Sequence, residues 1–157
     1  MKQILCDRSH AGQILEILNE AILNGTALWD YQPRKLATME PWFDAKEAGN
    51  FPVIGFVDEQ HQLLAFGSYG TFRAWPAYKY TVEHSLYVER SARGQGLGKR
   101  MLEQLIRHAE AQGIPSIAIE IRNDLIRDEA RVQRWTDILA RLTAHLRNVL
   151  ARGGAAS

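Results

Sequence analysis

The stretch from Tyr80 to Gly113, YTVEHSLYVERSARGQGLGKRMLEQLIRHAEAQG, constrains the fold more than any other, because it reads as a strand, a glycine-rich turn and an amphipathic helix in direct succession. A two-residue period puts Tyr80, Val82, His84, Leu86 and Val88 on one face of the strand and Thr81, Glu83, Ser85 and Tyr87 on the other. Leu97, Met101, Leu102, Leu105, Ile106 and Ala109 recur at three-to-four spacing, which predicts the helix. Gly113 suits the left-handed residue that closes it, and Pro115 keeps it from resuming. Between strand and helix lies Arg93-Gly94-Gln95-Gly96-Leu97-Gly98. A helix begins with N–H groups that no carbonyl satisfies and with a partial positive charge. Alternate glycines let that backbone approach a bulky anion, and Arg93 and Lys99 add charge, so the expected ligand is a phosphate or pyrophosphate. The competing reading is a tight turn whose glycines serve only the backbone.

Two phosphate-binding patterns fail here. A Walker loop needs four residues between its first glycine and Gly-Lys, then Ser or Thr; only three residues lie between Gly94 and Gly98, and Arg100 follows Lys99. The dinucleotide fingerprint needs G-x-G-x-x-G, whereas this loop is G-x-G-x-G and comes late in the chain. The loop resembles instead the coenzyme A loop of the GNAT N-acetyltransferases, R/Q-x-x-G-x-G/A, at Arg93, Gly96 and Gly98. The strand TVEHSLYV resembles more narrowly the phosphinothricin N-acetyltransferase branch. The resemblance implies acetyl-coenzyme A as co-substrate, held by Leu86, Tyr87 and Val88 on the strand and by Arg93, Gly94, Gln95, Gly96, Leu97, Gly98 and Lys99 in the loop. A backbone N–H near Leu86 to Val88, where the strand is expected to splay from its neighbour, would polarise the thioester carbonyl.

In chain order, Lys2 to Cys6 reads as a first strand, and Ile14, Leu15, Leu18, Ala21 and Ile22 as a first helix with Ser9 as its cap, ending near Gly25. Asn24 to Tyr31 reads as a loop whose two aromatics, Trp29 and Tyr31, are expected to be packed; in the resembled branch the matching stretch helps line the acceptor pocket. Thr38 is the expected cap of a second helix through Trp42, Phe43 and Glu47, ending at Gly49. Val53 to Val57 and Leu63 to Tyr69 predict a hairpin around a polar loop, and Ser116 to Ile121 a last strand. The order β-α-α-β-β-β-α-β, with a parallel crossover at the end, is an α/β arrangement on a mixed sheet. It resembles the GNAT acyltransferase core over residues 1–121.

The loop Thr71 to Lys79 is rich in aromatics and cations. An ordinary exposed connection is the plain reading. The resemblance implies that it receives the acceptor, with Arg73 binding an anionic group through its planar fork and Phe72, Trp75 and Tyr78 as walls. Glu83 is the expected general base, since an acceptor amine is protonated near neutral pH and must lose a proton before attack. A solvated strand glutamate is the bland alternative, and the resembled branch carries a glutamate at this place in TVEHS. His84 is expected to line the pocket or serve the structure. Transfer would be direct, because no nucleophile stands beside a base.

The carboxyl end departs from the resembled family. Trp135, Ile138, Leu139, Leu142, Leu146, Val149 and Leu150 mark one long amphipathic helix, ended by Gly153-Gly154, where the family has an asparagine-containing helix and two further strands. Asn123 sits too early to take the family's asparagine role, and no tyrosine follows Tyr87 to serve as general acid. The expected organisation is one domain, 1–157, with a family-like core (1–121) and a helical tail (122–157). A second function class therefore stands beside the enzyme: a coenzyme A-binding or oligomerising protein that has lost catalysis. The formal charge of +1 argues against a dedicated nucleic-acid surface. The single cysteine, Cys6, points to a buried thiol rather than a disulfide or a metal site, and no metal is expected. No apolar run suits a signal peptide or a membrane span, which makes a cytoplasmic location the default expectation, and the resemblance implies a homodimer with a small-molecule amine as substrate.

Overall fold

The computed structural model describes residues 1–26, 28, 30–114, 116–118 and 128–153. The chain divides into two compact units, Met1–Ile119 and Glu120–Ser157. In the first, β1 (Lys2–Leu5), α1 (Ala11–Asn24), α2 (Met39–Ala48), β2 (Val53–Val57), β3 (Leu63–Thr71), β4 (Thr81–Val88), α3 (Leu97–Ala111) and β5 (Ser116–Ala118) follow in order. The five strands form one sheet in chain order. The first three pairings are antiparallel, and β4 with β5 is parallel, with Glu83 opposite Ala118. This is the sequence-predicted α/β order. Pro115 and residues 119–121 of the predicted last strand lie outside the described residues.

Alternation along the strands sends side chains into two separate cores. On one face Ile14, Ile17 and Leu18 of α1 and Met39 and Phe43 of α2 pack with Val53, Leu63 and Phe66. On the other, Leu97, Met101, Leu105 and Ala109 of α3 pack with Ala65, Tyr69 and Val82, and Leu86 and Val88 join them. The β2–β3 hairpin turns on Asp58, whose carboxylate accepts from the N–H groups of Gln60 and Gln62, each at 2.9 Å. Cys6 is a buried free thiol, as its sequence context suggested, and burial pushes it up to about 12.

Three local expectations are corrected. Asp7, not Ser9, supplies the first cap: its side chain accepts from the Ser9 N–H and closes a 3-10 turn over Arg8–His10 before α1 begins. Thr38 occupies the position before α2, but its hydroxyl donates back to the Lys35 carbonyl at 2.7 Å instead of capping. Tyr31 is 96% exposed rather than packed. Trp29 and Ala27 lie outside the described residues.

The second unit contains α4 (Glu129–Gly153), the long helix expected from the tail's periodicity. Trp135 and Leu139 are half-buried, and Ile138 is exposed. Asn123 and Gly154 lie outside the described residues, as do the side chains of Leu142, Leu146, Val149 and Leu150.

Leu105 is fully enclosed between α3 and the sheet, whereas Leu5 is 69% exposed on β1. Urea unfolding of Leu105→Ala should show a loss of about 2–5 kcal/mol, against less than about 0.5 kcal/mol for Leu5→Ala. Equal losses would contradict the placement of the α3 core.

Candidate functional site

The strand β4 carries the site along its length. Val82, Leu86 and Val88 are spent in the α3 core, so the alternate residues Glu83, Ser85 and Tyr87 face the α1–α2 side. Tyr87 stacks on Phe66 with ring centroids 5.4 Å apart, and burial pushes its phenol upward. Among the described residues, pairing with β5 stops at Glu83. The stretch Leu86 to Val88, expected to splay, thus has no described neighbour on that edge.

Past β4 the chain makes a 3-10 turn over Arg90–Ala92, capped by the Glu89 carboxylate accepting from the Ser91 N–H at 2.7 Å. Gly94 and Gly96 then adopt φ +80 and +78, the left-handed region that favours glycine, and no atom stands within 4 Å of where their Cβ atoms would be. Gly96 begins α3 without any side-chain cap. Open space above a helix start whose amides lack a cap is the arrangement that takes an anion. The side chains around it are otherwise engaged. Leu97 is buried, Gln95 donates to the Ser91 carbonyl at 3.4 Å, and Arg93 donates to the Val88 carbonyl at 3.1 Å and pairs with Glu20 of α1. Lys99 is exposed, with Glu103 at 3.9 Å. The group left open to an anion here is therefore main-chain N–H, with Lys99 as nearby charge.

At the other end of β4, Glu83, His84 and Ser85 line a cleft of about 210 Å³ with Gly70 and Thr71 of β3 and Lys46 of α2. His84 places Nδ1 2.8 Å from the Ala118 carbonyl; a carbonyl only accepts, so Nδ1 carries the proton there and Nε2 is left as acceptor in the neutral ring. Of the aromatic-cationic loop only its first residue, Thr71, is among the residues lining this cleft. Phe72 packs edge-on against Tyr78 at 5.4 Å, Arg73 lies 4.8 Å above the Phe72 ring, and Trp75 is 72% exposed. A larger hollow of about 430 Å³ shares no residue with the cleft, and its walls include Glu16, Glu20, Asp58 and Glu89, which suit no anion.

Lys46 was not legible in advance. In WFDAKEAGN it reads as a solvated cation on the last turn of a helix. The fold half-buries it instead: its ammonium donates to the Tyr69 carbonyl at 2.9 Å and lies 5.4 Å from the Trp42 ring and 5.8 Å from the Phe51 ring. Burial lowers its pKa from 10.5 to about 8. No group of three or more potential metal ligands occurs among the described residues. No helix there is long and apolar enough to cross a membrane.

The Lys46 shift has a definite sign. The folded side chain releases its proton near 8 and the unfolded one near 10.5, so between those values the unfolded state binds more protons and the Lys46 contribution to stability rises with pH. Below 8 the folded state carries the full penalty of the buried charge. Urea unfolding of the parent and Lys46→Met at pH 8, 9 and 10 should show the difference moving in the parent's favour by at most about 1.4 kcal/mol per pH unit. Comparing the two proteins cancels the groups common to both, Cys6 among them. A difference independent of pH would refute the buried cation.

The profile of the acetyltransferase (GNAT) family matches residues 14–130. An L-methionine sulfoximine/L-methionine sulfone acetyltransferase of Pseudomonas paraeruginosa is 42% identical over 101 residues, which are 64% of this chain and 59% of that protein. The match thus spans about three fifths of the length of this relative. The crystal structure of an N-acetyltransferase from Staphylococcus aureus is similar with TM-score 0.74 at 34% identity, covering 87% of this chain and 81% of the other. A GNAT superfamily phosphinothricin acetyltransferase from Sinorhizobium meliloti, solved in complex with acetyl-coenzyme A, has TM-score 0.68 at 29% identity, covering 70% and 60%.

Proposed function

The chain belongs to the acetyltransferase (GNAT) family, and from that premise we propose that it moves an acetyl group from acetyl-coenzyme A to the amine of a small amino acid of the methionine sulfone, methionine sulfoximine or phosphinothricin type. The observation that carries this reading is that one strand, β4, holds Glu83 in a small cleft and leads, through a 3-10 turn and the glycine loop, into the uncapped start of α3. A diphosphate at that helix start and an amine at Glu83 would be brought together by a single rigid element.

The thioester supplies the activated acetyl group; the chain supplies position and proton transfer. The N–H groups from Gly94 to Lys99 hold the diphosphate, and the main chain at Leu86 to Val88 meets the thioester end. Glu83 accepts a proton from the acceptor ammonium, either directly or through a water, so that the nitrogen lone pair becomes free to attack. His84 and Ser85 border the same cleft and orient the amine. The amine attacks the acetyl carbon without a covalent enzyme intermediate; as the C–N bond forms the C–S bond breaks, and coenzyme A leaves as a thiolate that takes up a proton from solvent while the amide nitrogen loses its second proton.

One observation favours a second reading. The family match ends at residue 130, and α4 occupies most of the chain beyond. A coenzyme A-binding protein without turnover would bind acetyl-coenzyme A equally well. Release of free thiol over a panel of amino acids containing methionine sulfone and phosphinothricin separates the two. The enzyme reading expects turnover, with Glu83→Gln reducing kcat by about 10²–10⁴-fold while leaving calorimetric affinity for acetyl-coenzyme A within about twofold. Undiminished turnover in Glu83→Gln would remove Glu83 from the role of base, and no turnover in the parent would favour the binding protein.

A further inference from the structure

We propose that Lys46 is the anchor for the acceptor's carboxylate, so that the cleft takes a free α-amino acid with its carboxylate on Lys46 and its amine at Glu83; this rests on the acetyl-transfer reading for the identity of the acceptor. An ammonium has three donors. Lys46 uses one, on the Tyr69 carbonyl, and the faces of Trp42 and Phe51 give it partial compensation only. Among the described residues no carboxylate pairs with it, although the cations Arg8, Arg34 and Arg93 are each paired with at least one. A cation withdrawn from water without an anion is destabilising, and a helix end could carry an apolar residue there at no such penalty. The lowered pKa is the signature of that unrelieved burial.

The missing anion is supplied by the chemistry of the cleft itself. Lys46 and Glu83 line the same space of about 210 Å³, which therefore presents one positive and one negative group. Gly70 lies beside the ammonium and adds no side chain, so the charge is not screened from the cleft. A zwitterion carrying both charged groups on one carbon matches such a site in sign; a simple amine or a protein N-terminus would leave Lys46 unpaired. Arg73 lies on the Phe72 ring outside the cleft lining and does not take this role.

The test uses methionine sulfone and its α-amide, which differ only in the carboxylate. With acetyl-coenzyme A saturating, Lys46→Met should raise KM for the acid by about 10- to 100-fold, the loss expected for one charge-assisted contact, with kcat within about threefold. Lys46→Arg should recover most of the loss, and KM for the amide should be the same in parent and variant. Lys46→Gln, which keeps a polar group, serves if the methionine variant does not fold. An unchanged KM for the acid, or equal losses for acid and amide, overturns the assignment. If the parent shows no turnover, calorimetric titration of both ligands into the coenzyme A-saturated protein decides separately. Binding of the acid that weakens in Lys46→Met while the amide is unaffected keeps the anchor and discards the transfer reading. No binding of the acid by the parent overturns the anchor.

Discussion

The seating of α3 on the sheet is the contact on which the rest depends. Met101 and Leu105 are fully buried, and a side chain at Gly67 of β3 would come within 2.7 Å of the Met101 side chain and 3.0 Å of Leu105. The absence of that side chain lets the helix lie close, at the register where its first turn follows the end of β4. Close packing tolerates few alternatives, since shifting the helix by a residue would open voids and clashes together. The same contact therefore fixes both the core and the place where uncapped amides meet solvent. Arg93 adds a tie on the other side, joining the glycine loop to the Val88 carbonyl and to Glu20 of α1.

The two faces of β4 divide the labour between stability and chemistry. Val82, Leu86 and Val88 are committed to the α3 core and hold the strand rigid. Glu83 and Ser85 alternate with them and reach the cleft on the opposite side. Rigid support is what a site needs to hold reacting groups in position, and here the strand that supports is also the strand that presents. Lys46 comes from α2, whose orientation is set by Phe43 in the first core and by Arg8, which pairs with Glu40, Asp44 and Glu47 along its outer side. The positive and negative groups of the cleft thus come from elements fixed by different contacts, and the half-buried cation is a local loss of stability maintained by the surrounding fold.

Expectations drawn from periodicity held where one residue type had one physical use. The alternation in TVEHSLYV and the three-to-four spacing in α3 each leave a single way to bury the apolar residues, and Gly94, Gly96 and Gly113 do adopt the positive φ their type permits. The small polar residues were less decisive. Asp7, Ser9 and Thr38 can each bond to several nearby backbone groups, and the choice among them is settled by the chain around them. Tyr31 was expected inside because it is aromatic, yet an amphipathic ring is often left at the surface.

The sequence alone determined the order of elements, the two faces of β4 and the glycine-opened start of α3, because each follows from the spacing of residues close together in the chain; Glu83 stood out through the resemblance of TVEHS to the phosphinothricin N-acetyltransferase branch. The cleft was decided only by tertiary structure. Lys46 and Glu83 are 37 positions apart, and nothing local distinguishes that lysine from a solvated one. Burial is a property of what packs over a residue, and Trp42, Phe51 and the Tyr69 carbonyl converge on Lys46 only after α2 has docked on the sheet.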